Sequence, residues 1–99
     1  MALGDNGYRE WVQVFSALAS DTRLRIVIML ANGKMGCQDI LSQLDLSQPA
    51  VSYHLSKLEY AGVLVKEREG IRNCYRLHDC ISELVNVVEN EEDESCHTK

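Results

Sequence analysis

The chain holds a single proline, Pro49, and no apolar run longer than Ile26 to Ala31. Such a run is far short of the roughly 20 residues needed to cross a bilayer. Met1 to Gly7 lacks the basic-then-apolar pattern of a signal peptide, so a cytoplasmic location without membrane contact is expected. In that compartment Cys37, Cys74, Cys80 and Cys96 would be free thiols rather than a disulfide framework. The chain also lacks a glycine-rich phosphate loop, a Cys-x-x-Cys pair and any Ser, His and acid set tied to a pocket. Nothing in it points to an enzyme or to a bound cofactor. No internal repeat is present, and only "ENEEDES", beginning at Glu89, approaches low complexity.

Basic charge is scarce as well, with a formal net charge of -5 at pH 7. A uniform deficit would argue against a nucleic-acid partner, but the deficit is not uniform. From residue 78 onward seven carboxylates face only Lys99, so that segment carries minus six and residues 1 to 77 carry plus one. Within Ser47 to Leu77, Lys57, Lys66, Arg68, Arg72 and Arg76 outnumber Glu59, Glu67 and Glu69 by two. The acidity belongs to the C-terminus, and the bulk charge says little about the middle. Length and pattern divide the chain into one domain over residues 1–90 and an acidic, disordered tail over 91–99.

What the chain does have is helical spacing. Trp11, Phe15 and Leu18, with Val14 beside them, mark a helix over Tyr8 to Ala19. Ser20 or Asp21 can cap a second helix, whose Leu24, Ile26, Val27, Ile28, Met29 and Leu30 surround its axis and predict a core post. Cys37, Ile40, Leu41 and Leu44 stripe a short third helix. Ser47 suits the N-cap of a fourth, and Pro49 then falls in its first turn, where a missing N–H costs nothing. On this helix Val51, Leu55 and Leu58 share one side with His54 at its edge, while Ser52, Tyr53, Ser56, Lys57 and Tyr60 face the other way. Val63 to Arg68 and Asn73 to Leu77 read as strands around Glu69-Gly70. A last helix from about Asp79 to Asn90 stripes Ile81, Leu84, Val85 and Val88.

Two short helices across a tight turn, followed by a β-hairpin, make a winged helix-turn-helix. The expected class is mainly α with a β-hairpin wing: about five helices and two strands, dimeric. A helix with hydrogen-bonding side chains on its outer N-terminal half fits a major groove about 12 Å wide and meets base edges there. Ser47, Gln48, Ser52, Tyr53 and Ser56 supply such groups, and Lys57, Arg68 and Arg72 can hold phosphates of double-stranded DNA. A solvated helix face and a soluble hairpin would show similar residues. The capped, proline-started helix and the basic hairpin, in this order, favour DNA. A winged-helix module that binds protein is the alternative, and steep salt dependence of duplex binding separates the two. The apolar faces of Trp11, Phe15 and Leu18 and of Leu84, Val85 and Val88 predict a homodimer.

"FSALASDTRLRIVIML", "LSQPAVSYHLSKLEYAGVL" and "REGIRNCYRL" resemble the matching segments of the ArsR/SmtB family of bacterial transcriptional repressors over roughly residues 10–88. The resemblance implies a homodimeric repressor on an inverted-repeat operator, released by a metal, a metalloid or a thiol-reactive effector. It also implies that Gln48, Ser52, Tyr53 and His54 lie on the recognition helix. Gly36 and Gln38 stand where many members carry a thiolate pair, so no tight metal site is expected at Cys37, which reads as a small core residue. Asp79 matches one ligand of a second family site, but Ile81 replaces the next, and Asp79 reads as a helix N-cap. Cys74, Cys80 and Cys96 remain as a thiol switch that would work if exposed.

Overall fold

A computed structural model describes residues 5–86 of the chain. Within it, Asp5–Leu18 (α1), Asp21–Leu30 (α2), Cys37–Ser42 (α3) and Gln48–Tyr60 (α4) precede two strands. A fifth helix, α5, occupies residues 79–86. The hairpin strands are Leu64–Glu69 (β2) and Arg72–Leu77 (β3), and Met35–Gly36 forms a short β1 ahead of α3. The order β1-β3-β2 makes an antiparallel sheet of three strands rather than the two expected. Two residues are too few for a period-2 pattern to show, which is why β1 was not legible. The acidic tail, Val88, Cys96 and the far end of the last predicted helix lie outside the described residues.

The core gathers where the helices meet the sheet. Ile26, Val27, Ile40, Val51, Leu55, Leu58 and Val63 are sealed from solvent. The second helix is less of a core post than its composition promised. Ile26, Val27 and Leu30 are buried, but Leu24 and Ile28 remain 46% and 45% exposed. A domain this small has no further layer to cover the outer side of α2. The first helix differs in a related way. Its outward apolar stripe is Tyr8, Val12 and Phe15, an i, i+4, i+7 set, while Trp11 and Leu18 lean against the core. Leu84 on α5 is also exposed, whereas Val85 is buried.

Helix starts follow their caps. Ser20, not Asp21, caps α2, its Oγ accepting from the Arg23 N–H at 3.3 Å. The fifth helix is capped by His78, whose Nδ1 accepts from the Cys80 N–H at 3.3 Å. Asp79 is therefore in the first turn rather than at the N-cap, and its carboxylate lies 3.6 Å from Arg76 Nη1.

Candidate nucleic-acid interface

The fourth helix is fixed at both ends and along one side. Ser47 has extended φ and ψ of -71° and 159°, and its Oγ accepts from the Ala50 N–H at 3.3 Å. Its hydroxyl hydrogen stays free to donate outward. Pro49 sits in the first turn as expected. At the other end Gly62, with φ of 87°, takes the left-handed position. The Gly62 N–H donates to Glu59 O at 3.0 Å and the Val63 N–H to Leu58 O at 2.9 Å, the paired bonds of a Schellman stop. Val51, Leu55 and Leu58 are buried beneath the helix.

What this leaves outside is Gln48, Ser52, Tyr53, Ser56 and Lys57, all exposed. Lys57 Nζ lies 5.7 Å from the centre of the Tyr53 ring, so the two side chains stand together beside the helix. His54 turns away from this face. Its Nδ1 meets Arg23 Nη1 at 3.3 Å, and burial, then the guanidinium, push its pKa below the ordinary histidine value. A half-buried imidazole held from α2 positions the helix; it is not aimed at a groove.

The wing has two faces, because residues opposite one another in an antiparallel pair point the same way. On one face Val65, Glu67 and Glu69 stand opposite Arg76, Cys74 and Arg72. Here charges are matched internally. Arg76 Nε donates to Glu67 Oε2 at 2.8 Å, raising the arginine pKa and lowering that of Glu67. Lys34 pairs with Glu69 and likewise holds its carboxyl below the usual range. Arg72 Nη2 lies 3.2 Å from Asp39 Oδ2 on α3, so this expected phosphate contact already has an acid beside it. The other face carries Lys66 and Arg68 with Asn73 across from Arg68, and neither cation has a carboxylate partner among the described residues. Asn73 was missed in the sequence; the alternation of the second strand was the signal that could have found it. The turn itself is Gly70-Ile71, with φ of 64° at Gly70 and no positive φ at Ile71, the arrangement of a II′ hairpin.

The thiols are dispersed. Cys74 is buried, its Sγ 3.6 Å from Glu69 Oε1, which corrects its reading as an exposed switch on the wing. It stands on the charged face of the middle strand, flanked by Gly36 and Glu67, with the Glu69 side chain beside it. Cys37 packs half-buried against the core as expected, Cys80 is exposed, and Cys96 lies outside the described residues. The Arg72 guanidinium covers Gly36 so closely that a Cβ there would overlap it. A cation already occupies that ground, and the donor set does not fit a thiolate metal site.

The model of the bacterial regulatory protein arsR family matches residues 20–66. That span runs from the cap of α2 through the turn and α4 into β2. An uncharacterised HTH-type transcriptional regulator, MJ1325 of Methanocaldococcus jannaschii, is 34% identical over 84 residues, covering 83% of this chain and 94% of its own. The chain belongs to the ArsR family. The arsenic resistance transcriptional regulator ArsR1 of Pseudomonas putida is 38% identical over 76 residues, covering 76% of this chain. This ArsR-family chain matches only 59% of the length of that relative. Among solved structures, the homodimeric winged helix-turn-helix DNA-binding domain Mb0332 from Mycobacterium bovis superposes with a TM-score of 0.84 and 25% identity, covering 100% of this chain and 93% of its own.

Proposed function

We propose that this ArsR-family protein is a transcriptional repressor that binds an inverted-repeat operator in duplex DNA as a homodimer. The observation that carries the reading is the outer face of α4. Gln48, Ser52, Tyr53 and Ser56 are exposed on a helix that two caps and a sealed inner face hold still. Rigid, hydrogen-bonding side chains at a helix N-terminal half suit base edges in a major groove. Lys57, Lys66 and Arg68 have no carboxylate partner among the described residues and can hold phosphates, which fixes register. Exposed Tyr8 and Phe15, with Leu84, supply an apolar surface for pairing.

Selection from a random duplex library, followed by fluorescence anisotropy on the enriched sequence, tests the proposal. An inverted repeat with half-sites about 10 base pairs or slightly more apart is expected. Three free cations per protomer, doubled in the dimer, give a log–log salt slope of about -5. No enrichment, or binding indifferent to salt, would overturn the reading and leave the protein-binding winged helix in its place.

A further inference from the structure

Between α1 and α4 runs a cleft of about 240 Å³, smaller than the roughly 300–1,000 Å³ of drug-sized sites. Val12 and Ala61 give it apolar walls, and Gln13, Ser16, Arg23 and Lys57 line it with polar groups. Among the described residues no carboxylate lines it. That is the opposite of the wing, where Arg72 and Arg76 each have an acid within 4.0 Å and Glu69 takes Lys34 from outside the hairpin. Arg23 is held by neutral acceptors only. Its Nε donates to Ala17 O at 2.7 Å and its Nη1 meets His54 Nδ1 at 3.3 Å, leaving Nη2 with no protein partner among the described residues. Lys57 stands beside the Tyr53 ring and has no carboxylate partner among the described residues. Two cations on one cleft repel each other, and a fixed guanidinium with idle N–H groups is preorganised for a carboxylate.

We infer that this cleft binds a small aryl-alkyl monocarboxylate, its ring against Val12 and Ala61 and its carboxylate between Arg23 and Lys57, and that binding weakens the grip on DNA. The second half rests on the proposed function. A carboxylate that engages Lys57 withdraws one phosphate contact per protomer. Loss of two contacts in a dimer weakens operator binding by about tenfold or more at physiological salt. The occupant also bridges α1, which carries Tyr8 and Phe15 of the pairing surface, and α4, which carries the reading face.

Phenylacetate is the probe, with acetate at equal concentration as the ionic control. For a ligand of its size a Kd of about 1 mM is expected. Without DNA, saturable amide NMR shifts should appear at Ser16, Arg23 and Lys57 with phenylacetate and not with acetate. Gln13→Glu, which places a carboxylate in the cleft, and Ser16→Phe, which fills it, should abolish those shifts while thermal melting confirms the fold. On the selected operator, phenylacetate should lower affinity about tenfold for the unaltered protein and less than about twofold for either variant. Absence of saturable shifts, or shifts that survive both variants, overturns the site. If Ser16→Phe by itself lowers operator affinity and flattens the salt slope, a backbone phosphate occupies the cleft and the inference is wrong. Saturable shifts in a protein that selects no operator would instead sink the DNA reading and leave the carboxylate site standing.

Discussion

The fourth helix and the wing look alike as sequence, each a polar stretch with scattered cations, yet they present very different surfaces. The outer face of the helix is unengaged by acids: Gln48, Ser52 and Ser56 are exposed, and Lys57 stands beside an aromatic ring with no carboxylate partner among the described residues. The wing has neutralised much of itself. Arg72 sits on Asp39 and Arg76 on Glu67, so the charge counted along the hairpin exceeds the charge offered to a partner. The cause is periodicity. A period of two sends Glu67 and Glu69 to the same face as Arg76 and Arg72, while the helix carries one acid, Glu59, near its far end. Reading belongs to the helix; the wing contributes a narrow strip of positive charge.

The largest effect should come from loosening the helix from below. Leu55 is 1% exposed, and Leu55→Ala should cost about 2–5 kcal/mol of stability, read from the urea midpoint. A cost below about 1 kcal/mol would mean that α4 is not firmly seated, and the contrast with the wing would lose its basis. Ser52→Ala comes next. It should weaken binding to the selected operator by about 1–3 kcal/mol and leave binding to unrelated duplex unchanged. Equal losses on both would show that the helix holds the backbone instead of reading bases.

Those two residues also mark what was legible. The positions of Ser47, Pro49, Val51, Leu55 and Leu58 follow from local rules of capping and 3.6-residue spacing, so the helix, its inner face and its outer face could be read without a structure. The pairing of Arg72 with Asp39 could not. Those residues are separated by 33 positions, and only the docking of β1 against β3 brings them together. Cys74 misled for the same reason, since its burial depends on what lies over it rather than on its neighbours in sequence. Arg23 gave no signal as part of a site, because its cleft is formed by helices that meet in space. Leu24 and Ile28 were misplaced because composition reports how apolar a helix is, not how many layers are available to cover it.

The wing can be tested against itself. Arg68→Ala removes a free cation in each protomer and should reduce the salt slope by about two for the dimer. Arg72→Ala should change it by less than half as much, because an exposed ion pair already discounts that charge. Asp39→Asn sharpens the point by releasing Arg72, and it should steepen the slope relative to the unaltered protein. Equal effects of Arg68→Ala and Arg72→Ala would mean that the Asp39 contact opens on DNA, and the two faces of the wing would count alike.

The smallest expected effect concerns how the helix is tied to its neighbours. His54 is held between α4 and α2, and its pKa lies below the ordinary 6.5 because it is partly buried and because Arg23 is beside it. As the pH falls past the ordinary value, the unfolded chain takes up a proton before the folded one does. The unfolded state then binds more protons, so stability declines on acidification through the window between the ordinary pKa and the depressed one. Glu67 and Glu69, both lowered from 4.5 by their cationic partners, lose their contributions only at more acidic pH, outside that window. His54→Gln keeps an acceptor for Arg23 and removes the titration. Urea midpoints measured at pH 7.5 and 5.5 should therefore fall further for the unaltered protein than for His54→Gln. Parallel declines would place His54 free in solvent, in which case it would belong with the outer face of the helix and not with its anchorage.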